Sequence, residues 1–408
     1  MNSNHFFGLD IGTSTVRCVI GALDSQNGSK PTIVGHGSSP NMGMRKGVVA
    51  HVDDVAEAIS KAVTEAERLS GFRMNGATVN VNGSHISGEN SKGVIAISTA
   101  NREISQQDRM RVEEAATVVK MPPNREIVQV FAKNYRLDGQ DNIKDPVGMQ
   151  GVRLEVDTHI VTASSPGLKG LDTALEKAQV YPNNHTVSSL ASAEAVLTRQ
   201  QKESGTLLLD IGAGTTNIVV IEEGEVQHVA VLPIGGINIT NDLAIGLKTD
   251  LDIAEEVKVR HASLNLDSNQ GMASIVHDKK THTFDYGDIH MITEARVEEL
   301  LEYVDKELKK IRRSRKLPGG VVIVGGSAKL PGLAEFTREK LQLSARIGKV
   351  QGLSGLIDTV EDSSYVSVVG LMLLDMLFMP NGADEENMSK SGARAFGVLE
   401  GLLKRFKG

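Results

Sequence analysis

The sequence predicts an α/β protein made of two related halves, and three observations carry that reading. LDIGTSTVRCVI at residues 9–20 returns as LDIGAGTTNIVV at residues 209–220, so Asp10 and Asp210 stand at equivalent places 200 residues apart. Each copy is an aliphatic strand, an Asp, a Gly-rich tight turn and a second β-rich run, which is a hairpin pattern. Two helical stretches rich in small residues, VSSLASAEAVLTR (187–199) and YVSVVGLMLL (365–374), form a second echo. Ala, Ser and Gly on such helices permit close backbone approach where two halves meet. Between these markers strand and helix patterns alternate.

Taken in order, the first hairpin leads to HVDDVAEAISKAVTEAERLSG (51–71), with apolar residues at helical spacing and a Gly stop. ATVNVNG then reads as a strand ending in a turn. From about residue 84 to 162 the pattern changes to a helix at SQQDRMRVEEAATVVK and strands at REIVQVFAKNYRLDG and GVRLEVDTHIVTA, an inserted α+β module. A helix resumes over 168–179, and the second hairpin is followed by a second module to about residue 315 that contains the long amphipathic EARVEELLEYVDKELKKIRRSRK. Strand GVVIVGG and helix KLPGLAEFTREKLQ follow. The run VSVVGLMLLDMLFM (366–379) has 14 residues with Asp375 inside, short of the ~20 a spanning helix needs, and reads as a buried helix. PNGADEENMSKSG is polar and Gly/Pro-punctuated, as a disordered linker is, and a short amphipathic end lies beyond it.

Composition narrows the function classes. Lys and Arg total 44 against 51 Asp and Glu, a net charge of −7, which argues against a general nucleic-acid coat. Aromatic residues are 3% with no Trp, leaving few platforms for stacking bases, so no nucleic-acid partner is expected. Cys18 is the one cysteine, so no intrachain disulfide or multi-cysteine zinc site forms, and a reducing compartment fits. The amino terminus MNSNHFFGLDIG has neither a cationic lead nor an apolar core, and a cytoplasmic location is the expectation.

The chemistry sits in the hairpins. A strand–Asp–Gly turn offers backbone N–H groups to an anion and a carboxylate to a hydrated divalent cation, so two such elements can clamp a polyphosphate and share one Mg²⁺. One copy alone is more often a plain hairpin; two opposed copies are not. VVIVGGSAKLPGL (321–333) supplies a third piece: a buried strand ends in Gly-Gly-Ser and enters a helix, leaving bare backbone for a ring or ribose.

Hairpin, hairpin and Gly-Gly-Ser in this order resemble the actin-like ATPase superfamily, which includes the Hsp70 chaperones and sugar kinases. GLDIGTST, LLLDIGAGTTNI, LPIGGINITNDLAIGLKTDLDIAEEVK, DPVGMQGVRLE and VVIVGGSAKLPGL, with the loose linker and amphipathic end, more closely resemble the FtsA family of bacterial cell-division proteins over nearly the whole chain. That resemblance implies an actin-like duplicated ATPase fold with two inserted α+β subdomains and a C-terminal amphipathic helix. By position it implies that Asp10 and Asp210 hold Mg²⁺ through water and that Gly12, Thr13, Ser14 and Thr15 face the phosphates of ATP. Gly212, Gly214, Thr215, Thr216 and Asn217 would close the opposite side, with Gly235 and Gly236 beside them. Glu255 and Lys258 would face ribose and adenine, and Gly325, Gly326, Ser327 and Lys329 would wall the nucleoside. For Glu255 and Lys258 the residues alone, without the motif around them, favour an exposed i,i+3 ion pair.

The domains so implied are 1–83 with 163–200 as the first half, 84–162 as a self-association and partner module, and 201–380 as the second half. Within the second half about 225–315 is a partner-binding module; 381–392 is the linker and 393–408 a membrane-targeting helix. The implied role is an adaptor on the cytoplasmic face of the membrane at the division site. It polymerises with its own kind, receives the C-terminal tail of FtsZ, binds anionic lipid and recruits later division proteins. One departure bears on mechanism: where efficient hydrolases of the superfamily carry Glu or Gln to orient water, this chain reads Ser188-Ser189-Leu190-Ala191-Ser192, and a serine does not replace a carboxylate base. Glu194 is too far round the helix to take the role, so at most weak ATPase activity is expected. A PilM-like pilus-assembly adaptor and a sugar kinase share the fold signals and remain alternatives.

Other chemistry has little support. No phosphate loop, zinc helix or nucleophile elbow is present. His282, Asp285, Asp288 and His290 have metal-like content but irregular spacing in a polar stretch. Residues 306–316 carry seven cations and one acid, most simply a solvated helix end.

The amphipathic end is readable without the family. With Phe396 at about 0°, Leu399, Leu402, Leu403 and Phe406 fall at about 300°, 240°, 340° and 280°, and Val398 at about 200°. Lys404, Arg405 and Lys407 fall between about 20° and 180°, so the two faces separate. Burying four of these side chains at ~1.5–3 kcal/mol each suits a reversible anchor in the headgroup plane. Replacing Phe396 and Leu403 together with Glu is expected to release the protein from anionic liposomes in a flotation assay while leaving nucleotide binding unchanged; a variant that still floats places the anchor elsewhere.

Overall fold

The computed structural model describes residues 4–23, 31–98, 101–118, 121–265 and 271–378. The linker and membrane helix expected at 381–392 and 393–408, with Phe396 to Lys407, lie outside the described residues.

The first half begins with β1 (Asn4–Ile11), β2 (Thr15–Leu23) and β3 (Thr32–Pro40), an antiparallel meander. α1 (Val52–Ser70) forms because Val55, Ile59, Ala62, Val63 and Ala66 recur on one face and are buried. Gly71 stops it at φ 76°, its N–H bonding the Glu67 carbonyl. β4 (Ala77–Val81) returns parallel to β1. The chain then leaves the half to build a module from β5 (Ser87–Ala96), α2 (Gln106–Thr117), β6 (Arg125–Leu137), β7 (Gln140–Ile143) and β8 (Arg153–Ser164). Its sheet, ordered β5-β8-β6-β7, is antiparallel and packs α2 over a small core containing Ile104, Val112, Tyr135 and Leu154. Ser105 and Asp108 form a reciprocal cap that starts α2. α3 (Ser165–Lys177), β9 (Pro182–Val187), which pairs parallel to β4, and α4 (Ser188–Val196) complete the half.

The second half repeats the plan with β10 (Thr206–Ile211), β11 (Thr216–Glu222) and β12 (Glu225–Leu232) as its meander. α5 (Gly236–Gly246), α6 (Leu251–His261), the hairpin β13 (Met272–His277) and β14 (Lys280–Asp285), and α7 (Tyr286–Lys310) intervene. β15 (Gly320–Val324) then pairs parallel to β10, α8 (Leu333–Leu341) crosses over, and β16 (Ala345–Ile347) pairs parallel to β15. The orders β3-β2-β1-β4-β9 and β12-β11-β10-β15-β16 are one topology used twice. The duplication reaches individual bonds: the Gly12 N–H bonds the Thr15 carbonyl at 3.1 Å, and the Gly212 N–H bonds the Thr215 carbonyl at 2.9 Å.

Three boundaries differ from those drawn on the sequence. The strand starting at Glu225 pairs along its length with β11, so the second module begins in geometry after Leu232. α7 stops at Lys310 because the chain turns there, with Arg312 and Arg315 both at φ 59°; the end of the basic run is a turn. Some of its charges are paired: Lys309 with Asp305, Lys310 with Glu307 and Arg313 with Glu222.

Third, residues 354–378 return to the first half. Ser354–Gly355 adds to the edge of β3, and α9 (Val366–Phe378) lies against β1 and α4. The cause is burial, since every residue of α9 from Val366 to Asp375 is buried, and a helix apolar all round needs cover on all sides. Its lone acid is satisfied by the Phe7 N–H (2.9 Å), Thr78 Oγ1 (2.8 Å) and Asn183 Nδ2 (3.2 Å).

The close approach expected of the small-residue helices occurs where α9 crosses α4. A Cβ on Gly370 would lie 1.8 Å from the Ala191 carbonyl oxygen. Gly370→Ala is therefore expected to destabilise the fold by about 1–3 kcal/mol or more. Gly170→Ala in α3, whose added methyl meets only Val49 at an ordinary 3.6 Å, is expected to be neutral or stabilising. Thermal unfolding of the two variants beside the parent checks the contrast.

Candidate functional site

The strands of both sheets end toward a common cleft, and the hairpin turns face each other across it. The resulting cavity has a volume of about 410 Å³, within the range of small-ligand sites. Of the residues expected to bind nucleotide, Asp10, Gly12, Thr13, Ser14, Thr15, Asp210, Gly212, Thr215 and Asn217 line it from the two hairpins. Gly236, Glu255, Lys258, Gly325, Gly326, Ser327 and Lys329 line its other end.

Gly214, Thr216 and Gly235 do not reach the lining. Gly214 sits where the hairpins touch, since a Cβ there would lie 2.8 Å from the Thr13 side chain. Thr216 is fully buried and its hydroxyl donates to the Ile234 carbonyl at 2.8 Å. Gly235 is the N-cap of α5, packed under the second hairpin against Gly212 and Ala213. All three shape the loops from behind.

The two aspartates are held by groups that do not border the cavity. Asn80 Nδ2 donates to Asp10 Oδ1 at 2.6 Å and to Ser188 Oγ at 3.1 Å, while its Oδ1 accepts the Ile11 N–H at 2.7 Å. Ser192 Oγ, on α4, donates to Asp210 Oδ2 at 3.0 Å. Burial pushes the Asp10 carboxyl up to about 7, helped by Asp210 and opposed by Arg17 and Asn80. Burial likewise pushes Asp210 up to about 6, opposed by Ser192 and Arg17. A cation between these carboxylates would supply the charge their burial removes, so the donor set fits a hydrated divalent ion.

At the other end Lys258 Nζ bonds Glu255 Oε2 (2.6 Å), Thr240 Oγ1 (2.9 Å) and the Gly236 carbonyl (3.2 Å). The i,i+3 ion pair and a place on the cavity wall thus coexist. Ser327 Oγ reaches the Gly212 carbonyl at 3.3 Å, tying the Gly-Gly-Ser turn to the second hairpin, and Lys329 pairs with Asp362.

Sequence reasoning missed Arg17, Asn82, Ile239, Val259, Leu330, Pro331, Ser363, Ser364 and Ser367. Arg17 could have been found, being the residue paired with Asp10 across β1 and β2. Ser363 and Ser364 precede α9 and Ser367 lies in its first turn; all three reach the cavity through the return of that segment, which no local pattern signals. Ser188 borders the cavity but already accepts from Asn80, and Glu194 is held by Lys202 at 2.8 Å with both side chains buried. Among the described residues no group of three or more His, Cys, Asp and Glu is placed to hold a metal, so the His282, Asp285, Asp288 and His290 stretch does not converge. Asp285 caps α7 and His290 bonds the Ser263 carbonyl.

Residues 83–162 match the model of the SHS2 domain inserted in FtsA, and residues 207–370 match that of cell division protein FtsA. The chain is 37% identical over 379 residues to cell division protein FtsA of Bacillus subtilis, covering 91% of this chain and 84% of that one. It is 34% identical over 390 residues to the Pseudomonas aeruginosa protein of the same name, covering 95% and 92%. Among solved structures, the PilM-PilN type IV pilus biogenesis complex is similar with a TM-score of 0.61 at 19% identity, covering 99% of this chain and 98% of that one. MreB5 of Spiroplasma citri bound to ADP is similar with a TM-score of 0.53 at 13% identity, covering 91% and 96%. At such identities these likenesses concern the fold, which is actin-like.

The raised carboxyls cost the folded state stability as they ionise. Asp210 goes from 3.8 to about 6 on folding, so the folded state resists its ionisation. Its penalty is absent below the lower value, grows as pH rises, and is complete above the upper one. Asp210→Asn, which keeps an acceptor for Ser192, is expected to raise the thermal midpoint of the ligand-free protein at pH 8 and to change it little at pH 4.

Proposed function

The chain belongs to the FtsA family of cell division proteins, and from that premise we propose that it binds ATP with Mg²⁺ in the central cleft as a conformational ligand. Its role is that of an actin-like adaptor in cell division. The observation that carries the nucleotide reading is the pair of matched hairpins that bring Asp10, Asp210, Thr13 and Thr215 to one cavity, which Arg17 also lines and where its charge acts on both carboxylates. Turn N–H groups and Arg17 would hold the phosphates, Asp10 and Asp210 would hold the hydrated Mg²⁺, and Lys258 with Glu255 would meet the nucleoside. Bound Mg²⁺ would neutralise phosphate charge.

Slow turnover follows from the same wall. Apart from the two metal-facing aspartates, the carboxylate bordering the cavity is Glu255, engaged with Lys258 and Thr240 at the nucleoside end. Ser188 cannot act as a base, and loss of a positioned base typically costs about 10²- to 10⁴-fold. The finer role follows the family: self-assembly into filaments through the 84–162 module, capture of the FtsZ C-terminal tail by the second module, attachment to anionic lipid through 393–408, and recruitment of later division proteins.

Calorimetry should detect saturable Mg²⁺-ATP binding that Asp210→Ala weakens at least about tenfold, as loss of a charge-assisted contact does. Electron microscopy with ATP on anionic lipid should show filaments lying on the bilayer. Brisk turnover, or sugar-dependent phosphate transfer, would overturn the adaptor reading in favour of a kinase.

A further inference from the structure

The inserted module is tied to both halves. It leaves the first half between β4 and β5 and returns between β8 and α3, and at this root Arg125 Nη2 bonds the carbonyls of His85 and Thr162 at 3.0 Å each. The root also touches the cleft: Asn82 lines the cavity, donates from Nδ2 to Thr215 Oγ1 of the second half at 3.2 Å, and accepts the Gly83 N–H at 2.7 Å.

At its far side the module covers β12, the edge strand of the second sheet. Such an edge carries unpaired backbone groups that need a partner; two side chains of the module supply one, and a third holds the turn that leads into β12. Lys144 Nζ reaches the carbonyl and the carboxylate of Glu223 at 3.0 Å each. Lys133 Nζ reaches the Gln227 carbonyl at 3.3 Å. His159 Nε2 accepts the Val229 N–H at 3.0 Å.

His159 is 1% exposed, and its tautomer follows from its partners. Nδ1 faces Asn90 Oδ1 at 2.9 Å, an oxygen that also accepts from Lys133 at 2.7 Å, so Nδ1 carries the proton and Nε2 keeps its lone pair for Val229. Burial, aided by His228 and Lys133, pushes the imidazolium down to about 3, and the ring therefore stays a neutral acceptor at neutral pH.

The cavity lies between the halves, and β12 belongs to the same meander as the Asp210 hairpin. Moving the second half away from the first to open the cleft carries β12 out from under a module covalently rooted in the first half. We propose that the docking of the inserted module on β12 is a clasp that limits the rate at which nucleotide leaves the cleft, with His159 as its positioning residue. The inference rests on the reading of the cleft as a nucleotide site. It assigns the module a role within the single molecule, independent of any surface it offers to other molecules.

The test uses the full chain, a fluorescent ATP analogue with Mg²⁺ in stopped flow, and hydrogen exchange at the Val229 amide. His159→Leu removes the acceptor, and His159→Gln offers one near the position of Nε2. The Leu variant is expected to release the analogue about three- to tenfold faster, the size of one lost hydrogen bond, with association little changed and Val229 exchange accelerated. The Gln variant should recover both. Accelerated exchange with unchanged release would overturn the clasp, because the dock would then open without affecting the cleft. If His159→Leu does not fold, Lys144→Ala at the rim carries the same expectation: faster release with faster exchange in β12 supports the clasp, and unchanged release with faster exchange overturns it. Failure of the parent chain to bind ATP in calorimetry would instead sink the nucleotide reading and the clasp with it, whereas binding with unaltered release in the variants sinks the clasp alone.

Discussion

Two carboxylates buried in one cleft are the constraint on which the rest of the structure depends. Removing a charge from water is costly unless it is paired or hydrogen-bonded, and two like charges in one site compound that cost. Here the compensation is spread over the molecule. Arg17 comes from the neighbouring strand, Asn80 from the end of β4, and Ser192 from α4. Ser192 belongs to the first half and steadies Asp210 of the second, so the placement of the halves and the preparation of the site are one requirement.

The α4–α9 crossing meets that requirement. Contact of Gly370 with the Ala191 backbone lets α9 lie against β1 and α4 at once, and Asp375 anchors the far end of α9 to β1, β4 and β9. The segment just before α9 delivers Ser363 to the Gly325 turn, where the Gly325 N–H bonds the Ser363 carbonyl at 3.1 Å and Ser363 Oγ returns a bond to the Gly325 carbonyl at 3.0 Å. A late part of the chain, buried in the first half, thereby braces a wall of the cavity built by the second.

In the proposed reading, the wall so built suits binding more than bond cleavage. Glu194, the acid closest in sequence to the place of a water-orienting residue, is committed to Lys202 in a buried pair away from the cavity. Ser188 stands at the cavity with its oxygen already accepting from Asn80. A cavity between two loops from two halves, with Glu255 as its one carboxylate besides Asp10 and Asp210 among the described residues, suits a protein whose relatives are cell division proteins with an actin-like fold.

Much of this was legible in the sequence, for a physical reason. Hairpin turns, strand alternation and helix periodicity are local, so the repeat at Asp10 and Asp210, the inserted module, the buried helix at 366–378 and most of the cavity lining could be read from residue order alone. What local pattern could not carry was anything decided by where distant segments pack. β12 is a different case: it reads like the start of a module, but the turn at Glu223 and Gly224 makes it the third strand of the meander, a local signal that was there to be read. Residues 354–378 follow the second half in sequence and join the first in space, because α9 has no polar face to leave in water. Gly214, Thr216 and Gly235 carry the residue types of a phosphate loop yet sit behind it, since loop curvature sets which atoms face the cleft. Residue order named the chemistry; the packing of the halves chose which groups reach it.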